Sequence, residues 1–488
     1  MPVISLHLKQ LVKYTAMVPV KSITVTVHRD GRTRWENMKS RRPNIVLIVM
    51  DTVRADHLSC YGYHRKTTPN IDILAKRGVL FENAFSPATW TPPSHASIFT
   101  GKYPFQHGTF GRNVKFKEKI SIATVLQHYG YRTIGITDCG LLSSLTGFNK
   151  GFDIFINTSE IPLLNPKFIK AKIKDVIRTL IRGRDKHTYR INEIIKEVLT
   201  KIIRKKKPFF LFINYFDAHV PYYPPRPFRN KFKWNDPDID YRRIKYIANG
   251  AAKQDFLRRK VNISKKEWEA VASLYDSELA YLDYRMGEFI GFLEKQGIFD
   301  DTFLIITSDH GEYFGEHGLA GHVLSLYDEI IHVPLIMVYP DVIPGRTRIS
   351  HIVSTLDIFS TVMDIAGVKL AHMDKLPSVS LHPFEDTKIR EFIFAESDYA
   401  VPEEKRIPTI HKRCKCIRTE SYKYIYSPES EEFYDLVADP SEQTNLAHKC
   451  PEKIRYFRAM LDEVIQFYGK SLSFREQETI RRLRKSLM

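Results

Sequence analysis

The stretch SPATWTPPSHASIFTG, residues 86–101, crowds hydroxyl groups around two prolines ahead of a helix-compatible run that closes on Gly101. Proline is well tolerated where a helix begins, which places Thr91, just before the pair, at a predicted helix start. There the helix dipole and free backbone N–H groups favour an anionic group in transfer. Of Thr89, Thr91, Ser94 and Ser97, Thr91 is therefore the best-placed attacker; the bland alternative is an N-cap. A hydroxyl needs a base or a metal to become a useful nucleophile.

Asp51 and the pair Asp309–His310 are the sharpest metal candidates, each directly following an apolar run of strand length. A carboxylate buried there pays a desolvation penalty unless something positive answers it. The stretch TSDHGEYFGEHGLAGH packs Asp309, His310, Glu312, Glu316, His317 and His322 among four glycines. Carboxylate with imidazole suits zinc, manganese or a related divalent ion better than an all-oxygen calcium site. His219, in FDAHVPYYPP, follows another strand and is braced by prolines, and His322 is a weaker candidate of the same kind. Both are assigned acid–base roles.

The elements that must position these residues follow from hydrophobic periodicity. NIVLIVM (44–50), YRTIGIT (131–137), PFFLFINY (208–215), TFLIITS (302–308) and VPLIMVY (333–339) read as buried strands. Amphipathic helical patterns cover 119–129, 190–204, 266–295 and 352–366. The alternation predicts an α/β domain with a largely parallel sheet, and ligands in such folds bind beyond the carboxyl ends of the strands. From about residue 390 short strand-like runs replace this texture, predicting a small antiparallel sheet subdomain followed by a helix near 452–468.

The chain is long enough for more than one structural unit, and 43% hydrophobic content is that of a globular protein. No window approaches 18 consecutive apolar residues, and the start lacks a secretory h-region, so the expected location is cytoplasmic. Five cysteines form no disulfide framework and read as reduced thiols. The net charge of +18 is carried by residues 1–42, with nine Lys/Arg against two acids, and by 167–207, with fifteen against four. A nucleic-acid partner is not expected, because such proteins spread basic residues over the fold. The predicted organisation is a basic leader over 1–42, a catalytic domain over 43–375 with a basic helical insertion at 160–207, a C-terminal subdomain over 376–470 and a basic tail over 471–488.

Across residues 43–447 the chain resembles the sulfatase family of the alkaline phosphatase-like superfamily. RPNIVLIVMDTVRADHLSCYGY, TTPNIDILAKRGVLFENAFSPATWTPPSHASIFTGKYPFQHG, TSDHGEYFGEHGLAGHVLSLYDEIIHVPLIM and EEFYDLVADPSEQTNLA carry the likeness in order. The resemblance implies an α/β/α sandwich, one divalent metal or two (calcium, manganese or zinc), and hydrolysis of a sulfate or phosphate ester through a covalent intermediate. Family sulfatases carry Cys or Ser, oxidised to formylglycine, followed by x-Pro-Ser/Ala-Arg; here Thr91 and His95 stand at the first and last of those positions. Asp51–Thr52 replaces the usual aspartate pair, and His322 replaces a lysine. These departures resemble the phosphoethanolamine and phosphoglycerol transferase branch, which uses a threonine nucleophile.

The expected function is thus metal-dependent ester hydrolysis, with Thr91 as nucleophile, His219 and His322 as acid–base groups, and Asp51, Asp309 and His310 as metal ligands. The substrate is expected to be an anionic small molecule or glycan ester. The alternatives are a phosphodiesterase or phosphotransferase with a phosphothreonine intermediate, and a non-catalytic glycan-binding relative. The insertion at 167–207 is expected to lie on an anionic surface, to cover the mouth of the site, or to be a solvated helical insertion.

Overall fold

The computed structural model describes residues 42–110, 115–160, 186, 188–234, 236–322, 325–371, 373–397 and 413–470. The leader up to residue 41, the tail 471–488 and most of the basic insertion lie outside the described residues. Strands are β1 (Asn44–Met50), β2 (Val79–Phe85), β3 (Arg132–Thr137), β4 (Ile154–Asn157), β5 (Phe209–Tyr215), β6 (Thr302–Ser308), β7 (Tyr313–Phe314), β8 (Ala320–Gly321), β9 (Leu335–Val338), β10 (Thr347–Ser354), β11 (Ile393–Ser397), β12 (Cys414–Arg418), β13 (Tyr422–Tyr426) and β14 (Glu431–Asp435). The helices that matter here are α1 (Pro69–Arg77), α2 (Thr91–Thr100), α3 (Ile122–His128), α4 (Thr188–Ile203), α5 (Tyr241–Ala248), α6 (Lys253–Leu257), α7 (Lys265–Lys295), α8 (Asp357–Ile365) and α9 (Pro451–Lys470).

Eight strands form the central sheet in the order β10-β2-β9-β6-β1-β5-β3-β4. Neighbours run parallel except β9, which is antiparallel to both β2 and β6. β1 is central and buried along its length because both of its faces are covered, which is why NIVLIVM is apolar without alternation. Val46, Ile48 and Met50 pack with residues of α1, α4, α5 and α7. Strand side chains alternate between faces, and on the other face Phe212 of β5 meets His95 and Phe99 of α2. The result is the predicted α/β/α sandwich.

The second sheet is antiparallel in the order β11-β12-β13-β14. α9 covers it, with Phe457 and Leu461 packing among Tyr424 and Phe433. All five cysteines are free thiols, as expected. Among the described residues, no helix is long and apolar enough to cross a membrane.

One predicted element divides. The pattern at 352–366 reads as a single helix, but its first residues complete strand β10, which pairs with β2, and α8 starts at Asp357. Asp357 accepts a hydrogen bond from the Ser354 backbone N–H at 2.9 Å, which fixes the corner between the two. The β-branched pair Ile352–Val353 therefore serves the sheet rather than a helix face.

Candidate active site

β6, β1 and β5 are adjacent, so their carboxyl ends deliver Asp309–His310, Asp51 and the loop bearing His219 to one edge of the sheet. Asp51, Asp309 and His310 are fully buried, and one ligand atom from each lies within 4.8 Å of the others. His310 Nε2 is 3.5 Å from Asp309 Oδ2 and 3.9 Å from Asp51 Oδ1. Its Nδ1 lies 3.0 Å from the Gly311 carbonyl, which orients the ring. A side chain at position 311 would collide with the Glu329 carbonyl, so only glycine allows this approach.

Thr52 adopts a left-handed backbone with φ of 58° and aims its N–H at Asp309 Oδ1, 3.2 Å away. The strained turn holds the ends of β1 and β6 together at the place where the candidate ligands meet. Three buried carboxylate oxygens remain without a hydrogen-bond partner there: both of Asp51, and Oδ2 of Asp309. Burial, reinforced by Asp309 and Glu312 and opposed by Lys186, drives the Asp51 carboxyl well above its usual range. Anionic oxygens orphaned beside an imidazole are what a divalent cation would satisfy. The residues present fit one.

Thr91 is the first residue of α2 and is almost completely buried. The N-cap position belongs to Trp90, and the Thr91 hydroxyl does not cap; its Oγ1 lies 3.5 Å from His310 Nε2. The bland N-cap reading thus does not describe this threonine. The helix brings fewer N–H groups than expected, because Pro92 and Pro93 have none and Ser94 donates its own to Trp90.

His322 and His219 line the next layer. The His322 ring is 4.5 Å from that of His310 and 5.2 Å from that of His219, and its Nδ1 is 3.3 Å from Glu312 Oε2. His219 stacks on Phe216, with Nδ1 2.6 Å from the Val220 carbonyl. Burial, then the neighbouring His322, pushes the His219 imidazole down to about 3. His322 is pushed well below its usual value by burial, then by His310 and Lys253. Both shifts favour the neutral imidazole near pH 7.

Other residues from the same motifs go elsewhere. Asp138 accepts from Thr158, and Asp217 from Thr188. Glu316 pairs with Arg54 at 2.7 Å, and His317 stacks on Tyr327. Cys139 neighbours Asp51, but burial and then that carboxylate push its thiol well up, away from the reactive thiolate.

Sequence reasoning gave His95 no role. Its Nδ1 sits 2.9 Å from the Thr91 carbonyl and 3.7 Å from Asp309 Oδ2, while its buried Nε2 has no partner. The i,i+4 spacing from Thr91 on α2 was the available signal. Lys186 and Lys253 also act on the site: Lys186 pairs with Glu278 and opposes the charge of Asp51, and Lys253 does the same for Glu312. No motif announces either one.

An α/β sheet edge that joins a buried hydroxyl, orphaned carboxylates and imidazoles defines an ester-hydrolase type of site. The sulfatase family model matches residues 43–368, and a model of the N-sulphoglucosamine sulphohydrolase C-terminal region matches 315–466. The chain belongs to the sulfatase family of ester hydrolases. An arylsulfatase of Clostridium perfringens is 25% identical, the match covering 86% of this chain and 94% of that protein. An N-acetylglucosamine-6-O-sulfatase of Bacteroides thetaiotaomicron is also 25% identical, covering 91% and 89%. The solved phosphonate monoester hydrolase of Agrobacterium radiobacter shares the fold, with a TM-score of 0.69 at 21% identity, covering 88% of this chain and 96% of that one.

Proposed function

We propose that this chain hydrolyses a sulfate monoester through a covalent intermediate on Thr91, with Asp51, Asp309 and His310 holding a divalent metal. The observation that carries this reading is the Thr91 hydroxyl, uncommitted to capping and 3.5 Å from an imidazole of the three-ligand cluster. A divalent ion, when bound, supplies Lewis-acid polarisation of the ester oxygen and a lower pKa for the threonine. The donor set, with Thr52 in place of a second aspartate, favours zinc or manganese over calcium.

In the first step Thr91 Oγ1 bonds to the sulfur and the bond to the leaving oxygen breaks. The threonine proton passes through neutral His322 or His219 to the leaving alcohol. In the second step water attacks the sulfur, the Thr91–O–S bond breaks, and a water proton restores the hydroxyl. Residues 43–375 would form the catalytic domain and 376–470 the subdomain.

One observation favours phosphoryl chemistry as a second reading. A sulfated formylglycine hydrate can eliminate through its second hydroxyl, which a threonine ester lacks, whereas a phosphothreonine is relieved by direct attack of water or an acceptor alcohol. Intact mass spectrometry of metal-loaded protein exposed briefly to aryl sulfate and aryl phosphate separates the readings. An adduct on the wild type and none on Thr91→Ala supports Thr91, and its mass names the ester. Unimpaired turnover by Thr91→Ala overturns the assignment.

A further inference from the structure

The segment 220–260 carries eleven Lys/Arg against four Asp/Glu, so positive charge is also concentrated beside the site and not only on the leader and insertion. α5 lies within it. Ile244, Ile247 and Ala248 face the core, whereas Tyr241, Arg242, Lys245 and Tyr246 are exposed, and the helix contains no acid. Tyr241 with Lys245, and Arg242 with Tyr246, are i,i+4 pairs on this exposed face. Lys245 Nζ lies 4.8 Å from the centre of the Tyr241 ring, which Trp234 stacks against. Tyr241 and Tyr246 are 47% and 42% exposed, an apolar area that the fold does not use.

Two of the nearby acids are committed: Asp236 pairs with Lys266 at 2.7 Å, and Asp240 caps α5, while Asp238 is exposed. Arg243 pairs with Glu267, but Arg242 and Lys245 have no ion-pair partner among the described residues.

The C-terminal end of α5 abuts the candidate active site. The Tyr222 N–H, three residues after His219, donates to the Ala248 carbonyl at 2.9 Å. Lys253 of α6 lies across Gly321, where a Cβ would collide with its ammonium, and Gly321 adjoins His322. At 1.5 Å per residue α5 leads about 12 Å away from that rim.

We propose that the outward face of α5 binds the chain of an anionic saccharide whose terminal ester enters the site, an inference that rests on the ester-hydrolase reading above. Planar rings alternating with unpaired cations match sugar rings that carry sulfate groups. A membrane-seated helix would turn its apolar face to the bilayer, whereas Ile244, Ile247 and Ala248, the apolar face of α5, are buried in the core.

The test uses the full-length chain, metal-loaded, and compares the wild type with Arg242→Ala/Lys245→Ala, Tyr241→Ala/Tyr246→Ala and Thr91→Ala. Binding of a sulfated glucosamine oligosaccharide is measured by calorimetry at two salt concentrations, alongside aryl ester turnover and binding to phosphatidylserine vesicles. Both double variants are expected to bind the oligosaccharide at least tenfold more weakly, with less salt dependence for the Arg/Lys pair and unchanged aryl turnover. Thr91→Ala is expected to bind it as the wild type does, so a failed nucleophile assignment would leave this result standing. Equal oligosaccharide affinity in all variants would overturn the proposal, as would wild-type binding to vesicles but not to the oligosaccharide.

Discussion

Two groups of buried acids in this chain face the same desolvation cost and meet it in opposite ways. In one, Lys423 of β13, itself fully buried, bridges Asp328 and Glu442 at 2.8 Å each, and Arg418 of β12 reaches Asp328 at 3.2 Å. Burial opposes ionisation of Asp328, but Arg418 and Lys423 prevail and hold it well below the usual carboxylate range. In the other, Asp51 and Asp309 keep three oxygens unpartnered, and Asp51 is pushed well up. The first group has its counter-charges within the chain and ties the small sheet to the segment before β9. The second has no such cation paired to it among the described residues, which is the arrangement the proposed metal would answer. Buried acids without protein partners mark the site.

The sharpest way to break the contrast is to remove one charged side chain from each group. Asp51→Asn should lower turnover about 1000-fold, because it removes a ligand at the reacting centre. The same change should stabilise the metal-free protein by about 1–3 kcal/mol in urea unfolding near pH 7, since folding no longer has to bury or protonate a carboxyl whose pKa it drives up. A loss of stability there would mean that Asp51 is satisfied within the fold.

Lys423→Met should do the reverse. It should cost about 3–5 kcal/mol by leaving Asp328 and Glu442 without their shared cation, with kcat and KM of the remaining folded protein unchanged. A loss below about 1 kcal/mol would place this cluster with weak surface pairs.

Adding zinc or manganese at a hundred times its Kd should raise wild-type stability by about 2.7 kcal/mol and leave Asp51→Asn unmoved. An equal rise in both proteins would put the ion elsewhere.

The last test is a pH dependence within the Lys423 cluster. Burial, with Asp328 beside it and Lys423 opposing, raises Glu442 to about 7. A carboxyl with a raised folded pKa holds its proton more tightly when folded, so it costs stability as pH rises from its unfolded value to about 7, and no more above that. Relative to Glu442→Gln, the wild type should therefore lose stability between pH 5 and pH 8, by up to about 3 kcal/mol. A constant difference would show that Lys423 already holds Glu442 ionised.

Local pattern carried far on the strands. β1, β5 and β6 are apolar runs ending beside acids and histidines, and the sheet brings Asp51, Asp309 and His310 into one cluster while His219 and His322 stand next to it. The pattern failed at 352–366, where the apolar spacing suits both a strand and a helix and only pairing with β2 decides between them. It does not distinguish Asp138 and Asp217, which also lie just beyond strands, from Asp51. Their threonine partners come from distant segments, and nothing local separates a satisfied acid from an orphaned one.

What the amino-acid order determined by itself was the alternation of strand and helix, the residues at the strand ends, and a threonine at the head of α2, because periodicity and chain adjacency are local properties. Which of those residues share a cavity, which acids lack partners, and that His95, Lys186 and Lys253 reach the site were decided by tertiary structure. Burial and charge pairing depend on contacts between segments that lie far apart in the chain.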